Sequence, residues 1–394
     1  MTVYLDHAAT TPLRPEARDA WLDAAEVVGN PSSIHGAGQD ARRLLEDARE
    51  RLAAALGCEP IEVILTSGGT EAVNLALKGL WWSRTPGTDV VVVPDGEHHA
   101  TLDTVEWLSA HESARLLPVS LDEVGRIPVA GFAAALPDAA LATALVANNE
   151  VGTVSDAGAL AAAAAGAGVP LHLDAIAAFG HVPVSFARWR GTGRGRGGLA
   201  ALSISGHKIG APVGTGALVV SRHAGVTALV HGGGQQRGLR SGTQDVAGAA
   251  ALAVAAELAV AELPSEAERV SALRDRLIAG VQASVPGSTV LGDRADRLPG
   301  NAHVLFPGAV GETLLFLLDR ADIAVSTGSA CQAGVPEPSH VVLALGRTEA
   351  EARQVLRFTL GRTTTEADVD ALLGALPEAV QRARAASGAS GPRS

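Results

Sequence analysis

Short apolar runs at residues 61–66, 90–93, 143–147, 171–174 and 201–205 each stop at a polar or glycine-bearing loop, with helix-length segments between them. Such alternation predicts an α/β domain around a mainly parallel sheet, because parallel strands need crossovers and are covered on both faces. In sheets of that kind ligands usually sit at the carboxyl ends of the strands. The polar residues in those loops therefore carry most of the functional information. At 394 residues the chain is long enough for two or three domains, each with its own core.

The pattern changes near residue 264. An alanine-rich helix is expected over 244–263, ended by Pro264, with a second over 265–281. Strands near 288–291, 302–306, 323–326 and 355–360, with helices near 312–320 and 366–385, predict a smaller α/β unit. The expected organisation is a large domain over 15–263, a small domain made of 1–14 and 264–384, and a disordered tail over 385–394.

Several function classes are disfavoured at once. A net charge of −11 argues against direct nucleic-acid binding by the bulk surface. The only two cysteines, Cys58 and Cys331, are too few and too distant for a disulfide framework or a cysteine-based zinc site, so no metal centre is expected. The segment MTVYLDHAATTP has Asp6 and His7 where a secretory signal needs an apolar core. The longest uncharged stretch, 157–173, is interrupted by glycines and Pro170. A cytoplasmic protein without a membrane span is the expectation.

Thr66-Ser67-Gly68-Gly69-Thr70-Glu71 joins a strand to a helix. Free amides and the helix dipole suit such a turn to phosphate, although an ordinary helix cap has the same appearance. Ser203-Ile204-Ser205-Gly206-His207-Lys208 ends another strand on a lysine, which forms a Schiff base where its surroundings lower its pKa and is otherwise a solvated strand-end residue. Asp174 closes the apolar run before it, and a carboxylate in that position needs a cationic partner such as a pyridinium nitrogen. His98 and His99 follow the run at 90–93 and offer imidazoles to a ring face or a proton path. Cys331 lies in the small-residue segment Ser326-Thr327-Gly328-Ser329-Ala330-Cys331, which leaves a thiol exposed as a nucleophile, whereas Cys58 reads as a packing residue. Gly193, Gly195 and Gly198 satisfy a dinucleotide fingerprint in spelling only: no strand precedes and no helix follows, so the segment reads as a basic loop.

Taken together, these segments resemble the cysteine desulfurases, pyridoxal-phosphate enzymes of the class-V aminotransferase family. The resemblance covers nearly the whole chain. It rests on Tyr4-Leu5-Asp6-His7-Ala8-Ala9-Thr10-Thr11-Pro12, Gly29-Asn30-Pro31-Ser32-Ser33, residues 66–71, Asn148-Asn149-Glu150-Val151-Gly152, Ser205-Gly206-His207-Lys208, Arg240-Ser241-Gly242-Thr243 and Ser329-Ala330-Cys331. It implies a fold type I homodimer in which Lys208 carries pyridoxal 5′-phosphate, Asp174 pairs with the ring nitrogen, His98 stacks on the ring and Asn149 lies near its 3-oxygen. Gly69, Thr70, Ser205 and His207 would hold the phosphate, with Thr243 from the other subunit. Arg357 would clamp the substrate carboxylate, with Asn30 close by. Cys331 would take sulfur from L-cysteine as a persulfide, leaving alanine, and pass it to an acceptor protein.

One departure stands out. Most of the family has glutamine three residues after the aspartate, donating to the ring 3-oxygen, and this chain has Ala177. It keeps one alternative open, a related pyridoxal-phosphate lyase or transferase acting on another amino acid; a binding reading, a sulfur-relay scaffold with weak catalysis, stands beside it as a second.

Overall fold

The computed structural model of the protein describes residues 2–192, 195–328 and 337–388. The chain opens with a two-residue strand, β1 (Val3–Tyr4). It then builds a seven-stranded sheet from β2 (Val63–Thr66), β3 (Val90–Pro94), β4 (Arg115–Val119), β5 (Ala139–Leu145), β6 (Pro170–Asp174), β7 (Gly198–Ser205) and β8 (Gly216–Val220). Their order in space is β2-β8-β7-β6-β5-β3-β4. β3 to β7 pair in parallel, and β8 runs antiparallel to both β7 and β2. β3, β5, β7 and β8 are buried at every position, which is why such strands read as continuous apolar runs.

The five expected strands are present with shifted ends. The run at 61–66 begins as a 3-10 turn, Pro60–Glu62, because Pro60 occupies its first position. β4 and β8 have no counterpart in the sequence reading. β4 is a mostly exposed edge strand containing Pro118, and β8 follows so closely on a glycine loop that its sequence offers little contrast. His172 is buried within β6, its ring nitrogens 2.9 Å from Thr143 Oγ1 and 3.1 Å from Ser203 Oγ. It ties β5, β6 and β7 together as a neutral imidazole, since burial lowers its pKa to about 3.

Farther along come β9 (Thr289–Leu291), β10 (Asn301–Leu305), β11 (Ile323–Ala324) and β12 (Val355–Thr359). β12, β10 and β9 form an antiparallel sheet, while β11 pairs in parallel with β1. The expected strand at 323–326 is cut to two residues, with Ser326 reduced to a single bridge to Arg357.

The helix expected to end at Pro264 does not. A single helix, Val246–Ser284, runs through the proline. Its first half gives Ala249, Leu252 and Ala256 to the core of the large sheet, and its second half gives Val270, Leu277 and Val281 to the core of the small one. Packing on both sides of Pro264 outweighs an interruption that costs about 3 kcal/mol in an isolated helix. Ser265 Oγ also donates to the Glu262 carbonyl at 3.0 Å. By length and composition this helix could cross a membrane, but half of its most apolar stretch is buried in the protein. Its apolar residues are spent on the two cores.

At the other end, the helix Glu366–Gly388 continues past 385, so the expected tail does not begin there. Leu372, Leu376, Val380 and Ala383 hold it to the small core. Gly193 and Arg194 of the basic loop, Cys331, and positions 389–394 of the expected tail lie outside the described residues.

Candidate active site

The carboxyl ends of five strands in the large sheet open onto a cavity of about 470 Å³. Gly69 and Thr70 reach it from beyond β2, His98 and His99 from beyond β3, and Asn149 from beyond β5. Asp174 ends β6 with Ala177 just beyond it, and Ser205 ends β7 with His207 and Lys208 in the turn that follows. The facing wall is made by His7, Ala8 and Ala9 with Asn301, Ser326, Arg357 and Thr359. Nine residues singled out from the sequence, Gly69, Thr70, His98, Asn149, Asp174, Ser205, His207, Lys208 and Arg357, thus line one space.

Two others, Thr243 and Asn30, do not, and Cys331 is not among the described residues. Thr243 lines a separate cavity with Leu65, Gly216 and Arg240. Its motif is nevertheless joined to the loop beyond β2, because Arg240 Nε donates to Glu71 Oε1 at 2.8 Å. Asn30 is exposed and its Oδ1 accepts from the Ser32 amide at 2.9 Å, closing a local turn away from the cavity. Cys331 falls in the undescribed segment 329–336.

The turn after β2 needs glycine. Gly68 has φ 149°, a conformation that side chains disfavour, and it leads into the helix Gly69–Trp82 with no side-chain cap. The first amides of that helix are therefore free to meet an anion. His98, by contrast, is itself a cap: its Nδ1 accepts from the Ala100 amide at 3.0 Å at the start of the helix His99–Glu112. That bond assigns the ring proton to Nε2, and burial, helped by Lys208, lowers the pKa to about 4. His98 is a fixed, neutral ring at physiological pH.

Asp174 is buried at the end of β6 and accepts from the Ile176 amide at 2.8 Å. Burial raises its pKa to about 6 despite attraction from Lys208. A carboxylate so strongly desolvated is stabilised by any cation placed beside it. Lys208 Nζ donates to the carbonyl of Ala8 and, at 3.0 Å, to that of Ala9. Burial and then Arg357 lower its pKa to about 8, against Asp6 and Asp174, so a substantial fraction of the amine is neutral near physiological pH. Arg357, only 6% exposed at its side chain, donates from Nη1 to the Asn149 carbonyl at 2.9 Å and from Nη2 to Asp6 Oδ1 at 3.0 Å.

Some groups at the site were not singled out from the sequence. Asp6 meets Arg357 across 351 positions, which no local pattern announces. Glu97 is buried immediately before His98, and His340 Nε2 lies 2.9 Å from the Glu97 carbonyl. The available signal for Glu97 was its place just past an apolar strand, where a polar side chain turns inward. Ala177 lines the cavity beside Asn149 and His181, and the ring of His181 places Nε2 3.3 Å from the Lys208 carbonyl.

An uncapped helix end, a desolvated carboxylate and a lysine of lowered pKa, arranged around one cavity, can hold a phosphate-bearing, cationic heteroaromatic aldehyde. Comparison with known proteins points the same way. Residues 3–372 match the family model for class-V aminotransferases. The IscS-like cysteine desulfurase of Mycobacterium tuberculosis is 48% identical over 98% of this chain and 99% of its own length. Among solved structures, a NifS-like protein superposes with a TM-score of 0.89 at 31% identity, covering 97% of this chain and 100% of that one. SspA in complex with cysteine superposes with a TM-score of 0.79 at 29% identity, over 92% of this chain and 100% of its own.

Proposed function

This chain belongs to the class-V aminotransferase family, among its cysteine desulfurases, and from that membership we propose how its residues convert L-cysteine to L-alanine with sulfur passing to Cys331. Residues 15–263 serve as the cofactor-binding unit, and 1–14 with 264–384 bring Arg357 and the cysteine segment to it. The observation that carries the reading is Lys208, its pKa lowered to about 8, in one cavity with the desolvated carboxylate of Asp174.

The cavity fits pyridoxal 5′-phosphate. Gly69, Thr70, Ser205 and His207 would hold the phosphate at the helix end, completed by Thr243 from a second copy of the chain. Asp174 would hold the proton of the ring nitrogen, gaining the cation its burial calls for. His98 would lie against the ring, Asn149 near its 3-oxygen, and Lys208 would carry the group covalently. Bound there, the cofactor supplies an electron sink that acidifies the α-proton of an attached amino acid.

The remaining work belongs to the protein. Arg357 binds the α-carboxylate through the N–H groups of its planar guanidinium, and Asn30, outside the cavity of its own chain, would reach the substrate only from a second copy. Lys208 would accept the Cα proton at Nζ, a task suited to an amine whose pKa is lowered to about 8. His98 carries a fixed proton at Nε2 on its ring edge, because Nδ1 is taken by the Ala100 amide. The Cys331 thiolate attacks the substrate sulfur and its electron pair forms the new S–S bond. The S–Cβ bond breaks with its pair left on carbon, Cβ takes up a proton, Lys208 Nζ returns a proton to Cα, and alanine departs while Cys331 keeps the persulfide. No outside oxidant is needed.

A protein acceptor then takes the terminal sulfur, and the enzyme works as a cytoplasmic homodimer. The complex of SspA with cysteine supports cysteine as the amino acid bound. The test is direct: incubate the holoenzyme with L-cysteine and measure alanine. Alanine formation with persulfide on Cys331, lost in Cys331→Ala, bears the reading out. Pyruvate or another keto product in place of alanine would point to a lyase or transferase, and no turnover would leave a scaffold.

A further inference from the structure

Arg357 is held by its own chain before any substrate meets it. Asp6 Oδ1 takes one terminal nitrogen and the Asn149 carbonyl takes the other. The position of Asp6 is set by backbone. Leu5 is buried in the small core, Asp6 bridges to Thr359 on β12, and the Ala8 amide donates to Thr359 Oγ1 at 2.9 Å. Thr359 is two residues beyond Arg357 on the same strand, so the acid and the base are clamped to one register. The next residues on, Ala8 and Ala9, give their carbonyls to Lys208 Nζ. Residues 6–9 therefore touch both cations of the cavity.

We propose that Asp6 is a positioning residue for amino-acid binding: it fixes the guanidinium of Arg357 for the substrate carboxylate and supplies the negative charge that lets Arg357 and Lys208 share one cavity. The proposal rests on the reading of Arg357 as the carboxylate-binding residue. A guanidinium confined to one plane presents its remaining N–H groups in a fixed direction, and a buried cation stripped of its counter-ion is unfavourable. The charged and titratable groups facing Lys208 are Arg357, Asp6 and Asp174, with His98, His181 and His207 kept neutral by burial. Asp6 favours the protonated lysine and Arg357 opposes it. Removing Asp6 leaves only Asp174 against Arg357, and Lys208 then loses its proton at lower pH.

Two measurements on Asp6→Asn and Asp6→Glu test this. In cofactor-free protein, the rate at which Lys208 is acylated by an amine-reactive anhydride is followed against pH by peptide mass spectrometry. In the holoenzyme, KM and kcat for L-cysteine are measured. Asp6→Asn should move the Lys208 midpoint to lower pH and raise KM roughly tenfold or more, with the loss falling on KM more than on kcat, and Asp6→Glu should recover most of both. A folded Asp6→Asn protein with an unchanged Lys208 midpoint and unchanged KM overturns the proposal. If Asp6→Asn does not fold, Asp6→Ser takes its place in the same two measurements. Should the wild type itself fail to turn over cysteine, the functional reading falls, and the Lys208 midpoint alone decides the role of Asp6.

Discussion

Glu97 accepts a hydrogen bond at 2.7 Å from the amide of Leu145, the residue that opposes Asp174 across β5 and β6. Two acids thus lie next to each other beneath the cavity. Burial, and then the charge of Asp174, raises the Glu97 pKa from 4.5 to about 8. The folded protein keeps a proton there that the unfolded chain gives up. The associated stability is complete below pH 4.5 and is lost as pH rises through about 8. Glu97→Gln keeps the acceptor oxygen and has nothing to titrate. Its stability relative to wild type should therefore improve with pH by up to about 1.4 kcal/mol per unit across that interval. Urea unfolding of both cofactor-free proteins at several pH values checks this, and a pH-independent difference would sink it.

Lys208→Arg keeps a cation next to Ala8 and Ala9 but removes the amine proposed to hold the cofactor and to move the Cα proton. Turnover of L-cysteine should fall by at least about 10²-fold. Borohydride treatment of the loaded protein should then leave no cofactor mass on the peptide carrying residue 208. Retained tethering at that peptide, or near-normal turnover, would exclude Lys208 from both tasks.

Arg357→Lys preserves charge while giving up the fork that Asp6 and Asn149 hold flat. Losing one charge-assisted hydrogen bond to a carboxylate corresponds to roughly 10- to 100-fold in affinity. That loss should appear as a raised KM for L-cysteine and as weaker binding of alanine measured by calorimetry. An unchanged alanine affinity would place the carboxylate elsewhere.

Much of this site was legible because its residues stand at the ends of apolar runs. Gly69, His98, Asn149, Asp174 and Lys208 each follow a strand of the large sheet, and a parallel sheet carries those ends to one edge. What escaped depends on contacts that sequence spacing does not encode. Pro264 reads as a stop, yet the helix Val246–Ser284 passes through it because two cores grip the two halves. β8 is one antiparallel strand inserted between two strands of the opposite sense, and its five residues carry no mark of direction. Asp6 and Arg357 meet only because β1 and β12 are assembled into the same small unit. Thr243 and Asn30 entered through family resemblance alone, and neither lines the cavity of its own chain.

The two cysteines should separate cleanly in labelling. Cys58 follows the left-handed cap Gly57 and packs against the large core, and burial pushes its thiol up to about 12. At physiological pH it carries almost no thiolate and is a poor nucleophile. After incubation with L-cysteine, persulfide-directed alkylation should mark Cys331 and leave Cys58 unmarked, with Cys58→Ala showing the same label as wild type. Persulfide found on Cys58 would reverse the assignment.

In the proposed placement of the cofactor, Ala177 on the cavity wall would offer its ring 3-oxygen no side-chain donor. Of the polar residues on the cavity wall, His181 directs Nε2 toward the Lys208 carbonyl at 3.3 Å, and Asn149 is a second that lines the same space. A glutamine at 177 would add a neutral donor to an oxygen that carries negative charge, an interaction of about 1.5–3 kcal/mol. Stabilising the anionic oxygen favours its deprotonated form, so the pH titration of the bound cofactor's visible absorbance should move to lower pH in Ala177→Gln, by roughly one unit. An unchanged midpoint would mean that Asn149 or an ordered water already satisfies the oxygen, and the loss of glutamine would then be silent in this protein.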